Sequence, residues 1–217
     1  MFVQVVHCHP LAESFSQALF YAVVETLHSR GHEVVATNLY SAGFDPVMTP
    51  TERRSYFAPA AYDDAAVRTH VDLLRRAEGL IYCFPQWWFS PPAVMKGYFD
   101  RVWGPGIAFE HDLARGRIRP LLTHVRLFGV VTSYGAPWWT ARVLAGDPGR
   151  KMMMRALRPM CGPGVRSFYL AHYGMDRSTP RSREMFLRRV RATVASASTA
   201  CQSTTSQPGV PPPRGRE

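Results

Sequence analysis

Lysine is nearly missing from this 217-residue chain. Lys96 and Lys151 are the only two among 26 basic residues, so arginine carries the formal net charge of +10. A basic surface attracts nucleic acid, membranes or phosphorylated ligands. Codon usage in a GC-rich genome produces the same bias, and a functional reading requires arginine clustered beside aromatic rings. No helical stretch has the exposed polar side chains of a DNA-reading element, so nucleic acid is not an expected partner. The four cysteines are Cys8, Cys83, Cys161 and Cys201, and no pair has zinc-knuckle or C-x-x-C spacing. Cys8 and Cys83 lie in apolar runs, as buried reduced thiols do, which points to a reducing, cytoplasmic setting. The N-terminus MFVQVVHCHP lacks a basic region and a small-residue cleavage site, and no apolar run approaches the ~20 residues of a membrane span. Neither secretion nor membrane insertion is expected. There is no Gly-x-Gly-x-x-Gly, which argues against a Rossmann dinucleotide turn, and no Walker A motif or internal repeat. His7 and His9 have no third ligand nearby in sequence, so no metal site is expected.

Against these absences stands an ordinary core composition, 46% apolar and 19% charged. Length supports one domain, two at most. Apolar runs at 2–7, 33–38, 79–84, 125–132 and 165–171 read as strands. Helical spacing recurs over 14–30, 51–57, 63–77, from Pro91 or Pro92 to about Trp103, 149–160 and 180–195. Ser14 followed by Gln17 resembles a capping box. Strands alternating with helices imply a parallel sheet with right-handed crossovers, and the count suits the α/β flavodoxin-like order 2-1-3-4-5. Residues 196–217, rich in Ser, Thr, Pro and Gly, cannot bury enough surface to offset ordering entropy and read as a disordered tail to a single domain over 1–195. A Pro-rich docking peptide at Pro211–Pro213 is the functional alternative.

In such sheets ligands bind beyond the carboxyl ends of the strands, where strand order reverses. That places a site in the loops after the first, third and fourth strands. The first, HCHPLAESFSQ, ends at a helix N-terminus with Ser14 and Ser16 beside it, a natural phosphate site, although Ser14 as a plain N-cap is the blander reading. His9 is a polar loop residue suited to contact an anion. The second, FPQWWFSPPA, sets Trp87, Trp88 and Phe89 between Gln86 and two prolines. Such rings suit packing on a flat ligand, a hydrophobic plug or a dimer interface. The third, VTSYGAPWW, offers Thr132, Ser133 and the backbone around Tyr134 and Gly135, with Trp138 and Trp139 as further rings. A flat phosphorylated ligand fits all three loops, and a flavin nucleotide is the economical choice.

The stretch FPQWWFSPPAVMKGYFDRVWGPGIAFE, with HPLAESFSQAL and NLYSAGFDPVMT, resembles the NAD(P)H:quinone oxidoreductases of flavodoxin-like fold. Their bacterial relatives include drug-activity modulator quinone reductases and ancillary flavoproteins of glutathione-gated potassium efflux. The resemblance covers about residues 2–195. It implies bound FAD or FMN, NAD(P)H as co-substrate, a quinone-like acceptor reached by ping-pong exchange, and a homodimer with the flavin near the subunit interface. Position by position, His9, Phe15 and Ser16 match the family's nucleotide-contacting loop. Gln86, Trp87, Trp88 and Phe89, preceded by Pro85, match its loop against the isoalloxazine. Thr132, Ser133, Tyr134 and Gly135 match a Thr-Thr-Gly-Gly loop, with Tyr134 in place of a glycine. Tyr134 is the expected hydrogen-bond donor to flavin or substrate; a packing ring is its alternative. No histidine occurs between Gly135 and Cys161, where mammalian-type relatives carry one proposed to handle protons. Asp100 and Arg101 read as helix-surface or interface charges. A rival function is a flavin-binding regulatory subunit that docks on a partner such as a potassium-efflux channel.

Overall fold

The computed structural model describes residues 1–57, 64–112 and 116–203. In chain order its strands are β1 (Phe2–His7), β2 (Glu33–Asn38), β3 (Gly79–Gln86), β4 (Phe109–Asp112), β5 (Arg117–Pro120), β6 (Leu127–Tyr134) and β7 (Arg166–His172). The α-helices are α1 (Phe15–Ser29), α2 (Pro50–Arg54), α3 (Ala65–Arg76), α4 (Ala93–Val102), α5 (Pro148–Lys151) and α6 (Pro180–Ser203). Five parallel strands form one sheet in the order β2-β1-β3-β6-β7, which is the expected flavodoxin-like topology once the separate β4–β5 ribbon is set aside.

The side-chain period of two along each strand divides the core into two layers. Val3 and Val5, Ile81 and Cys83, and Leu127 and Val131 face α1 and α6, meeting Leu19, Val23, Leu27, Phe186, Val190 and Val194. Val6, Leu80, Tyr82, Phe84, Phe128 and Val130 face the opposite way, onto α3 and α4 through Val67, Val71, Leu74, Met95, Tyr98 and Phe99. β3 and β6 are buried along their whole length, as the central strands of a sheet covered on both faces must be.

Several expected boundaries are corrected. β3 runs on through Pro85 and Gln86, which pair with Ser133 and Tyr134, so the second and third loops leave the sheet side by side. β6 begins two residues late because Val125 N–H closes a turn onto the Leu122 carbonyl before the chain joins the ladder. The helix expected over 149–160 is one turn of α-helix, then a π-helical segment Met152–Leu157 and a 3-10 turn Arg158–Cys161. Pro159 has no N–H to continue an α-helical ladder. The β4–β5 ribbon was not expected, since its residues carry mixed charges without alternation. An ion pair between Arg119 and Glu110 links its strands. The segment expected over 51–57 is the short α2. Its Thr49–Glu52 capping box is complete: Thr49 Oγ1 accepts from Glu52 N–H, and Glu52 Oε2 from Thr49 N–H. At α1 only half of that motif forms: Ser14 Oγ accepts from Gln17 N–H, while Asn38 Nδ2 donates to Gln17 Oε1.

The end of the last helix, expected at 195, is also corrected. α6 continues to Ser203 because Val194 and Cys201 still reach the core, Ser198 is fully buried, and the Cys201 thiol meets the Arg126 carbonyl oxygen. Residues 204–217, including Pro211–Pro213, lie outside the described residues.

Arg101 is not a surface charge. Its side chain is 3% exposed and ties three segments together. It donates to the Asp45 carbonyl at 2.6 Å, to Glu52 Oε1 at 2.6 Å and to Asp64 Oδ2 at 2.6 Å. Asp100 does lie outside, paired with Lys96 one turn earlier at 2.5 Å. Because Glu52 stays largely covered, removing its cation strands a charge. Arg101→Ala is expected to lower unfolding free energy by about 3 kcal/mol in urea titrations, with Arg101→Lys recovering only part, since lysine lacks the fork that reaches three acceptors.

Candidate functional site

β1, β3 and β6 end at the same edge of the sheet, and their loops enclose a cleft of about 930 Å³. Of the sequence-predicted residues, His9, Ser14, Phe15, Ser16, Pro85, Gln86, Trp87, Trp88, Phe89, Ser133, Tyr134 and Gly135 all line it. Thr132 does not: it is fully buried in β6, and its hydroxyl donates to the Phe84 carbonyl at 2.6 Å. Sequence reasoning missed Ala136, Met175 and Asp176. The last two belong to the loop after β7. Strand order alone offered the signal, because the strand beside β6 must deliver its following loop next to the third one. Asp176 packs so closely on the third loop that a Cβ built on Gly135 would come within 2.8 Å of Asp176 Oδ2.

The first wall is the N-terminus of α1. Ser14 caps it and no acidic residue lies in the first turn, so its positive dipole end is not internally neutralised. Behind it, fully buried His7 places Nε2 3.2 Å from Ser16 Oγ. Burial, reinforced by His9, lowers the His7 pKa to about 4, so it is a neutral ring at physiological pH. His9 is held in the loop by Leu11 N–H donating to Nδ1 at 3.0 Å, with its ring edge-on to Trp87 at 6.0 Å.

The second wall is a tight turn. Trp87 and Ser90 exchange backbone hydrogen bonds at 3.0 and 3.1 Å, and the two residues between them have left-handed φ, 53° at Trp88 and 58° at Phe89. A two-residue hairpin turn with both central residues left-handed normally takes glycine or asparagine. Bulky aromatic residues there cost about 1–3 kcal/mol each, strain that points to a functional use of the rings. Trp88 is 95% exposed at the tip.

The third wall corrects the role expected of Tyr134. It is 1% exposed, stacked on Tyr173 at 4.8 Å, and its hydroxyl turns inward to Asp147 Oδ1 at 2.7 Å and the Tyr169 hydroxyl at 2.6 Å. Burial, with Tyr169 and Asp147 beside it, raises its pKa far above the ordinary phenol value. It is a buried network member with a packed ring and does not offer its hydroxyl to the cleft. His172 was likewise unforeseen; it packs edge-on between Phe15 and Phe186, and burial lowers its pKa. Among the described residues, no group of three or more His, Cys, Asp or Glu side chains is placed to hold a metal ion. No helix among them is long and apolar enough to cross a membrane.

A cationic helix tip with two serines, a strained aromatic wall and a close-packed loop carrying Gly135 suit a flat ring with a phosphate arm. The chemistry of the residues therefore fits a flavin nucleotide.

Comparison with known proteins agrees with the fold. A family model described as flavodoxin-like fold matches residues 1–192. The uncharacterized NAD(P)H oxidoreductase YcaK of Escherichia coli (strain K12) is 32% identical over 120 residues, 54% of this chain and 61% of that protein. NAD(P)H dehydrogenase [quinone] 1 of Rattus norvegicus is 30% identical over 158 residues, 66% of this chain and 57% of that protein. The chain thus spans less than two thirds of the length of these curated relatives. Among solved structures, the NAD(P)H:quinone oxidoreductase from Methanothermobacter marburgensis superposes with TM-score 0.78 at 24% identity, covering 91% of this chain and 97% of that one. An FMN-dependent NADH-azoreductase from Bacillus anthracis str. Ames Ancestor, solved in complex with FMN, gives TM-score 0.69 at 16% identity over 92% and 99% of the two chains.

Proposed function

Since the chain belongs to the flavodoxin-like fold family and has NAD(P)H:quinone oxidoreductases among its relatives, we propose that it is a flavin-dependent NAD(P)H oxidoreductase acting on a quinone-like acceptor. One observation carries the reading: the N-terminus of α1 and the left-handed Trp88–Phe89 turn border the same cleft. A bound FAD or FMN would supply hydride exchange between the nicotinamide and the acceptor, each using the same ring face in turn.

The chain's own groups supply binding and orientation. Main-chain N–H groups of the first turn of α1, with the hydroxyls of Ser14 and Ser16, hold phosphate. Neutral His7 orients the Ser16 hydroxyl without placing a second cation there. Trp87, Trp88 and Phe89 wall the ring and exclude water. The main chain from Ser133 to Gly135, where β6 gives way to the third loop, would place polar backbone beside a bound ring and favour negative charge on it. Trp88 at 95% exposure, with Trp138 at 57% and Trp139 at 50%, supports a homodimer in which a second copy covers these rings. Four buried free cysteines support a reducing, cytoplasmic setting.

Titration of the purified protein with FMN and with FAD should quench flavin fluorescence for at least one of them. The loaded protein should then oxidise NADH or NADPH only when menadione is present, with parallel lines in double-reciprocal plots. Failure to bind either flavin, or oxidation indifferent to the acceptor, would overturn the reading.

A further inference from the structure

Behind the aromatic turn lies a buried chain of hydrogen bonds that ends on one carboxylate. Gln86, the residue before the turn, donates from Nε2 to the Tyr169 hydroxyl at 3.3 Å. The Tyr169 and Tyr134 hydroxyls are 2.6 Å apart, and Tyr134 O–H donates to Asp147 Oδ1 at 2.7 Å. A carboxylate only accepts, so the direction of the whole chain follows from it. Tyr134 O–H donates a hydrogen bond to Asp147, Tyr169 O–H donates one to the Tyr134 oxygen, and the Tyr169 oxygen is left to accept from the Gln86 amide. Asp147 is 6% exposed, has a left-handed φ of 51°, and holds its other oxygen 3.6 Å from Arg142 Nε. A strained, buried acid at the end of such a chain is held there by its surroundings.

The segment carrying Asp147 also grips the turn directly. Gly149 N–H donates to the Phe89 carbonyl at 2.8 Å. A Cβ at Gly149 would overlap Gln86 Oε1 and lie within 2.8 Å of the same carbonyl oxygen. Phe89 is thus tied from one side by Gly149, and the strand leading into the turn is tied from the other by Tyr169.

We infer that Asp147 is a positioning residue for the aromatic turn, holding Trp88 and Phe89 in their left-handed geometry through Tyr134, Tyr169 and Gln86 on one side and Gly149 on the other. That the turn serves a flavin rests on the reading above; that Asp147 holds the turn does not.

The test uses the full chain labelled with 5-fluorotryptophan, its fluorine resonances for Trp87 and Trp88 identified by single Trp→Phe replacements. Asp147→Asn keeps a side chain that tolerates left-handed φ but replaces the charged, acceptor-only carboxylate with a neutral amide that carries one acceptor and one donor group. Tyr169→Phe removes only the bridging hydroxyl, and Gly149→Ala inserts the blocking methyl. All three should shift or broaden the Trp87 and Trp88 resonances in flavin-free protein, with the core Trp103 resonance unmoved. Where flavin binds the parent chain, its dissociation constant should rise about tenfold in each variant, because each loosens the turn that walls the cleft. A lower melting temperature with all five resonances in place would overturn the inference, because it would mean that Asp147 stabilises the fold without holding the turn. If Asp147→Asn does not fold, Tyr169→Phe decides alone. Shifted resonances in a protein that binds no flavin would uphold the positioning role while defeating the flavin reading.

Discussion

Between pH 6.5 and pH 4 the protein should lose about 3 kcal/mol of stability through one histidine. His7 is fully buried at the end of β1, stacked on Phe20 at 4.9 Å, and burial together with His9 holds its pKa near 4 instead of 6.5. The unfolded chain takes up a proton near pH 6.5, while the folded protein resists until about pH 4. The contribution is therefore complete above pH 6.5 and is lost as pH falls through that window. At about 1.4 kcal/mol for each pH unit separating the two states, the loss comes to about 3 kcal/mol. Burial also lowers the pKa of His70 and His172, in the same direction. His7→Gln keeps an amide near the Ser16 hydroxyl but does not titrate, so it isolates the first effect. Urea unfolding from pH 7 to pH 4 should show the parent chain losing about 3 kcal/mol more than the variant. Parallel pH profiles for the two proteins would remove His7 from the account.

Replacing Gly97 by alanine should destabilise the protein by about 3 kcal/mol, the upper part of the range for overpacking. Gly97 lies in α4, where its φ is ordinary, so conformational freedom is not the reason for glycine. A Cβ there would overlap the Pro46 carbonyl oxygen and come within 2.5 Å of Pro46 Cα. Backbone cannot rotate aside as a side chain can, so either α4 or the 44–47 segment must move. The same segment holds the Asp45 carbonyl that Arg101 grips, so the displacement would also strain that hydrogen bond. Gly164, with open space where its Cβ would lie, is the control, and Gly164→Ala should stay within about 0.5 kcal/mol of the parent. Equal urea midpoints for the two variants would contradict the packing argument.

Sequence pattern determined much of this molecule. Strand positions, their parallel pairing and the order of the central sheet follow from apolar runs separated by helical spacing. Both are local properties, and they leave few topologies open. That topology by itself places the cleft, because loops at strand carboxyl ends are where ligands gather. The aromatic and serine residues of two loops declared themselves by composition.

What tertiary structure alone decided lies wherever a side chain's partner is distant in sequence. Tyr134 looked like a donor to a ligand, but its hydroxyl is taken by Asp147, thirteen residues on, and Tyr169, thirty-five residues on. Arg101 looked like a surface charge until three acceptors from separate segments closed on it. The tail helix lengthened past Ala195 because Cys201 found the Arg126 carbonyl seventy-five residues earlier in the chain. Periodicity records which face of an element is apolar. It does not record which buried polar groups will find one another, because that depends on distances set only when the layers pack.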